Sequence, residues 1–450
     1  MASARGEFSS RFGFIMAAAG SAVGLGNIWG FPTQAASNGG AAFLLVYLLL
    51  AFTLAYPALM AEIIIGRHAH ANAVNALQRI AGGPVTRRLG ATTGLVGLVV
   101  ASFILSFYAI VAGWMIAHCL GSLAALVGAD GIAAWLTFFS LGRNASFVVV
   151  FMLLTIGIIA EGVHDGIERW SSRLMPILLV TLGCLVLYVL TLDGAMEGLK
   201  VYLLPDFSAA LSPQLIINAL GSAFFSLSLG VGTMLIYGSY INDRENLPVV
   251  GGLVTGVDIG IAVLAGFLVL PAMYVALHNG VEIFDAAGGL ISEDTLIFTV
   301  LPELFTSMGV AGAFVSLLFF FLMSIAALTS SISMLEVPVA YTIEEHGASR
   351  RSAVLLIGGI ITAISLLILL NFETLFGLVV TATTRYSQPL LGFVFCIYAG
   401  WIWRRDQLLE ELRKGSPEIA GTLFWRIWPW HVRLVCPLII FGIFAQNLFG

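Results

Sequence analysis

The stretch Ala17–Ala36, AAAGSAVGLGNIWGFPTQAA, lies inside the first long apolar run of the chain and works against it. The run, 12–36, is long enough to cross a bilayer as a helix, which takes about 20 mostly apolar residues. Yet its middle holds Gly20, Gly24, Gly26 and Gly30, with Asn27 and Pro32. Glycine and proline are the poorest helix formers. A helix interrupted in lipid leaves backbone groups unpaired, so an interruption at membrane depth is tolerated only where it lines a cavity. Its loose carbonyls then suit cations and its half-helix N-termini suit anions. The competing reading is close helix packing through small residues, and Gly20 and Gly24 have that spacing. It leaves Asn27 and Pro32 without a role.

The composition supports a membrane reading. Of 450 residues, 59% are hydrophobic and 10% charged, against about 25% charged in soluble chains. A net charge of −5 argues against a nucleic-acid partner. Cys119, Cys184, Cys396 and Cys436 lie far apart in or beside apolar runs, with neither a metal spacing nor a disulfide framework. The N-terminal MASARGEFSSRFGF carries two arginines, but no small-residue cleavage site ends the run that follows. The run therefore reads as a mature first helix and not as a signal peptide.

Eleven apolar runs have spanning length: 12–36, 41–66, 90–120, 144–161, 172–192, 217–240, 248–278, 310–343, 352–371, 374–403 and 433–449. The connections 193–213 and 279–308 should carry small helices, one of them the amphipathic SEDTLIFTVLPELFTSM against the outer mouth. With a cytoplasmic N-terminus, only Arg143 and Lys200 of the 20 Lys and Arg fall outside, and Arg385 lies within a span. This positive-inside bias fixes the orientation, in the cell inner membrane with the C-terminus outside.

The sixth span echoes the first interruption in FFSLSLGVGTM, with Ser226, Ser228, Gly230 and Gly232. Each broken helix opens a block of five spans, 12–192 and 217–403, followed by an extra helix at 433–449. Paired blocks of this kind predict an all-α polytopic membrane protein forming one transporter domain. It has eleven transmembrane helices, two inverted five-helix repeats and a site at the midplane. The eighth span carries SIAALTSSISML, with Thr329, Ser330, Ser331 and Ser333. Such a cluster can glue helices together, but beside two broken helices its hydroxyls suit a hard cation, which takes oxygen ligands. Asp258, in TGVDIGIAV of the seventh span, needs a partner, and a bound cation is the natural one. Glu62 and Glu336 read as acceptors for backbone donors.

These stretches, RFGFIMAAAGSAVGLGNIWGFPTQAASNGGAAF, FYAIVAGW, FFSLSLGVG, YGSY and ALTSSIS, resemble the neurotransmitter:sodium symporter family. The likeness is to its bacterial leucine-transporter-like amino-acid carriers of the eleven-helix subgroup. It runs from about Arg5 to Trp401. The resemblance implies two sodium sites. One would use the carbonyls of Gly20, Val23 and Ala326 and the hydroxyls of Thr329 and Ser330. The other would use the Ala22 carbonyl, Asn27, Ser226 and Asp258, where leucine-transporter members carry Asn. A fixed carboxylate there implies that chloride is not required.

The resemblance also implies a zwitterionic substrate. Its carboxylate would be held by the Leu25 and Gly26 amides, Tyr108 and sodium. Its ammonium would be held by the Ala22 and Phe225 carbonyls with Ser226 and Ser228. Gly24, where monoamine carriers place an acid, points to an amino acid. Ile104, Tyr108, Phe225, Val231, Gly232, Ser330 and Met334 complete a mostly apolar pocket.

The chain departs from the family at the outer gate, where NIWGFP replaces NIWRFP. Gly30 stands for the gate arginine, and Val379 and Val380 stand where its acid partner is expected. Arg385 either supplies the lost charge to the vestibule or bonds backbone carbonyls and snorkels. The inner gate residues Arg5, Ser239, Tyr240 and Glu344 match the family.

The implied function is sodium-coupled import of neutral, hydrophobic L-amino acids by alternating access. The alternatives are a sodium-dependent sensor, an uncoupled carrier or channel on the same fold, and a symporter of another small zwitterion. No H-E-x-x-H, no G-x-S-x-G and no paired acids within one span point to an enzyme. The expected partners are the substrate and the lipid bilayer, with a homodimer left open.

Overall fold

The computed structural model describes residues 6–204, 212–283, 298 and 300–449. Those residues form helices and turns, with no strand among them. Among the described residues eight helices are long and apolar enough to cross a membrane: Ala41–Ala69, Pro84–Leu126, Leu141–Ala160, Val163–Val189, Leu247–His278, Ala311–His346, Arg350–Leu370 and Leu423–Gln446. A ninth crossing is made by Arg11–Ala22 and Gly26–Ser37, bent by 58°.

Eleven spans were the expectation, and the difference lies in two places. The sixth run divides into Pro213–Ser226 and Thr233–Gly238, each short by itself. The tenth is helical through 372–402 but passes through π-helical turns at Thr381–Ser387 and Tyr398–Ile402. Thr381, Thr383, Thr384, Arg385 and Ser387 break its apolar character. The connection after the fifth span carries the helix Ala195–Leu203. Most of SEDTLIFTVLPELFTSM lies outside the described residues; its end is the helix Leu301–Ser307.

The first half-helix is pinned at its start. Ser10 caps it, its hydroxyl accepting from the Gly13 amide at 2.9 Å. Side-chain caps of this kind satisfy amides that a helix start leaves loose. The buried Glu168 accepts from the Ser9 and Ser10 amides at 2.7 and 3.1 Å and from both hydroxyls. Helix Tyr56–Ala69 meets Thr233–Gly238 backbone to backbone. A Cβ on Gly66 would overlap the Leu235 carbonyl, and one on Gly238 would overlap Ile63. Small residues at both faces permit the approach.

A polar helix, Arg405–Gly415, joins the last two runs and was not among the expected elements. It is bound by one buried network. Arg67, 0% exposed, puts Nε 2.7 Å from Glu411 Oε1 and donates from Nη1 to the Glu245 carbonyl at 2.8 Å. Lys414 Nζ and His68 Nδ1 lie 2.9 and 3.1 Å from Glu411 Oε2. Burial pushes the Glu411 carboxyl up, but the hydrogen bonds from His68 and Lys414 and the charge of Arg67 outweigh it and hold it down at about 2.

Glu411→Ala leaves Arg67 buried without its carboxylate, and breaking a buried pair costs about 3–5 kcal/mol. A clear fall in the Tm of the detergent-solubilised protein is expected, and an unchanged Tm would contradict it. Because the folded carboxyl lies below its ordinary 4.5, its contribution is complete above that value. It is lost as the pH falls from there toward about 2.

Candidate functional site

The first helix stops at Ala22 because Val23 turns to an extended conformation, φ −71° and ψ 108°. In a continuous helix the amides of Gly24, Leu25 and Asn27 would bond the carbonyls four residues back. Instead Gly24 N–H donates to Asn27 Oδ1 at 3.3 Å, Leu25 N–H to the Tyr108 hydroxyl at 3.3 Å, and Asn27 N–H to the Gly24 carbonyl at 3.2 Å. The carbonyls of Gly20, Ser21 and Val23 thereby lose their helical partners. Ser21 O is taken by the hydroxyls of Ser228 and Ser330, at 3.0 and 3.2 Å. Gly20 faces Thr329, whose Cβ would lie 3.0 Å from a Cβ on Gly20. The Thr329 hydroxyl donates to the carbonyls of Ile325 and Ala326, both at 3.1 Å, which leaves its oxygen lone pairs available. Gly20 and Ser21 thus meet Thr329 and Ser330, with the Ala326 carbonyl behind them, where helix Gly309–His346 crosses the break.

The second break spans 227–232. Ser228, Gly230 and Gly232 take positive φ of 50°, 78° and 83°. Gly230 admits no side chain, since a Cβ would overlap the Gln388 carbonyl, and its amide donates to Glu62 Oε1 at 2.7 Å. Glu62 is therefore a backbone acceptor. Glu336 is not, and that expectation is corrected. Its oxygens accept from the Tyr240 hydroxyl at 2.7 Å and from both Arg350 η-nitrogens at 3.2 and 2.7 Å. Arg350 starts the next helix and turns inward.

Between the breaks lies Asp258, 0% exposed. Oδ1 accepts from Asn27 Nδ2 at 2.7 Å and Oδ2 from the Ser226 hydroxyl at 2.8 Å. Asn27 Nδ2 also reaches Ser226 Oγ at 2.8 Å, and the Tyr47 hydroxyl donates to that oxygen at 3.2 Å. All these donors are neutral. A buried carboxylate is costly without a compensating charge.

A narrow slot opens beside this cluster. It holds about 30 Å³ measured to the centres of water-sized spheres, within about 430 Å³ of protein-free space. The first break contributes Ala22, Gly24, Leu25 and Gly26 to its walls, and Pro84–Leu126 contributes Ile104 and Tyr108. The second break adds Phe225, Ser228 and Val231, and Gly309–His346 adds Ser330 and Met334. Ser226 and Gly232 do not line it: Ser226 turns to Asp258, and Gly232 ends the break. Apolar walls meet a polar end made of the Tyr108, Ser228 and Ser330 hydroxyls.

Two further lining residues, Thr233 and Gln388, are absent from the expected set. Gln388 is 2% exposed, and its Oε1 has no hydrogen-bond partner among the described residues. A lone amide in RYSQPLL is the signal that could have marked it, since polar groups in a span are expensive. Thr233 carries no such mark.

Of the gate residues, Arg5 lies outside the described residues. Tyr240 bonds Glu336, and Glu344 Oε2 accepts from the Asn72 amide and side chain at 2.9 and 2.8 Å. Arg385 is exposed on a π-helical turn. Gly30 borders open space, where a Cβ would meet nothing within 4 Å.

Comparison with known proteins adds an independent line. A family model described as the sodium:neurotransmitter symporter family matches residues 5–137 and 137–450. The sodium-dependent transporter YhdH of Bacillus subtilis is 35% identical over 99% of this chain and 98% of its own. The sodium- and chloride-dependent taurine transporter of Rattus norvegicus is 26% identical over 99% of this chain and 78% of its own. The crystal structure of MhsT in complex with L-phenylalanine superposes with a TM-score of 0.84 at 35% identity, covering 98% of this chain and 100% of that one.

A Cβ on Gly24 would stand 2.9 Å from the Tyr108 hydroxyl and 3.3 Å from Ser330 Oγ. Gly24→Ala should displace the hydroxyl from the Leu25 amide. One such bond is worth about 1 kcal/mol, so ligand affinity should fall roughly five-fold with the fold intact. Unchanged affinity by equilibrium binding would contradict this placement.

Proposed function

The chain belongs to the sodium:neurotransmitter symporter family, and we propose that it imports a neutral amino acid with an apolar side chain together with sodium. The observation that carries this reading is the pairing of two helix breaks around one slot, with Asp258 buried between them and hydrogen-bonded to neutral donors. MhsT, similar along its whole length, was crystallised with L-phenylalanine, which supports an amino acid as cargo.

The substrate carboxylate is held at the polar end by the Leu25 and Gly26 amides and Tyr108. Its ammonium is held by the Ala22 and Phe225 carbonyls with Ser228; Ser226, which turns to Asp258, serves the second sodium instead. Its side chain lies among Ile104, Val231 and Met334. One sodium takes the carbonyls of Gly20, Val23 and Ala326 with Thr329 and Ser330. A second takes Ala22, Asn27, Ser226 and Asp258. The Asp258 carboxylate gives this second site its own negative charge, so no chloride is needed.

Binding from outside closes the slot, and reopening toward the cytoplasm follows as the half-helices rock against Pro84–Leu126 and Gly309–His346. Each sodium moving inward gains about 2.3 kcal/mol per 100 mV. That drives accumulation of the amino acid.

Reconstituted into proteoliposomes, the protein should accumulate labelled leucine, phenylalanine or tryptophan under an inward sodium gradient and not without one. Replacing chloride with gluconate should leave uptake unchanged. Asp258→Asn should raise the sodium concentration for half-maximal uptake at least ten-fold, about 1.4 kcal/mol. Sodium-dependent binding without accumulation would make the protein a sensor. Chloride-dependent uptake would overturn the role given to Asp258.

A further inference from the structure

Five of the nine tryptophans lie between 401 and 430, in WIWRRD and WRIWPW, with Arg404, Arg405, Arg426 and Arg433 beside or among them. The transport site uses none of them. Trp401, Trp403, Trp430, Arg404, Arg405 and Arg433 line a cleft where the end of the tenth run meets the start of the last. The cleft has about 250 Å³ measured to the centres of water-sized spheres. A single water needs about 10–15 Å³ by that measure, so a phosphate group fits.

Arg433 lies 4.1 Å over the Trp401 ring, and Arg405 lies 5.3 Å over Trp425. Both also flank Trp430, at 5.9 and 5.8 Å. Trp401 is fixed by its Nε1–H, which donates to the Arg433 carbonyl at 2.7 Å. Gly400 lets the chains close there, since a Cβ would sit 2.7 Å from Arg433 Cα. Arg404 has a loose, exposed partner in Asp406 at 3.8 Å. Among the described residues no carboxylate pairs with Arg405 or Arg433. Two cations thus share one indole ring without an anion. The N-terminus of helix Arg405–Gly415, which has no side-chain cap, opens onto the same cleft. Loose amides there favour an anion as well.

We propose that this cleft binds the phosphate of an anionic phospholipid. Guanidinium forks match phosphate oxygens. The lipid source follows from the surroundings. Trp401 and Trp430 are 53% and 52% exposed, as rings at a membrane interface are. Leu423, Ile427, Leu434 and Leu438 lie exposed along the adjoining span and offer a track for acyl chains. Basic clusters at span ends attract anionic lipid.

The test is native mass spectrometry of the full chain in neutral detergent, offered equimolar phosphatidylglycerol and phosphatidylcholine. Phosphatidylglycerol adducts should exceed phosphatidylcholine adducts at least five-fold. The ratio should fall to near one in the double variant R405Q/R433Q and at least two-fold in each single variant, which decides the matter if the double variant does not fold. R426Q, outside the cleft, should keep the preference. Equal adducts, or a preference kept in the folded cleft variants, would overturn the proposal. Displacement of the lipid by 10 mM inorganic phosphate would overturn the lipid source and assign the cleft to a soluble anion.

Discussion

Two helices are cut within a bilayer-sized bundle, and every backbone group freed by the cuts must find a partner. The hydrocarbon around the bundle cannot supply one, so side chains do. Tyr108 takes the Leu25 amide, Asn27 the Gly24 amide, and Glu62 the Gly230 amide. These three groups explain why a hydroxyl, an amide and a carboxylate stand in otherwise apolar surroundings. The oxygens of Gly20 and Val23 are released by the same rearrangement, and the proposed function gives them to a sodium ion.

The same hydrogen bonds link the two breaks. Asn27 touches the Gly24 amide with one end of its side chain and Asp258 with the other. Ser226 joins Asp258 to Tyr47 and follows Phe225, which lines the slot. Under the proposed function, a ligand that orders one side orders the other, and such coupling is reciprocal between ligands. Gly66 and Gly238 bring two backbones together without interlocking side chains. The Arg67–Glu411 network ties Tyr56–Ala69 to the polar helix Arg405–Gly415.

Much of this is legible in the sequence. Glycines, Asn27 and Pro32 inside an apolar run announce a break, and Asp258 in a span announces a charge to be balanced. What could not be read is mostly long-range partnership. Glu336 looks like a backbone acceptor until Arg350 is folded onto it. Gln388 is one amide beside a proline, and the long-range contact with Gly230 brings its segment against the slot. The helix Arg405–Gly415 hides in RDQLLEELRKG because its apolar positions, Leu408, Leu409 and Leu412, are few. The span count differs because one run is broken into two short helices and another is interrupted by the polar TATTRYS, so neither presents an unbroken apolar rod.

The claim at the centre of this account is that the released carbonyls and Asp258 bind sodium together with the amino acid at one shared site. Equilibrium dialysis of purified protein against ²²Na⁺, with and without saturating L-phenylalanine, tests it directly. Sodium binding should be saturable, tighten when the amino acid is present and weaken in Asp258→Asn. Sodium binding that is absent, or indifferent to the amino acid, would contradict it.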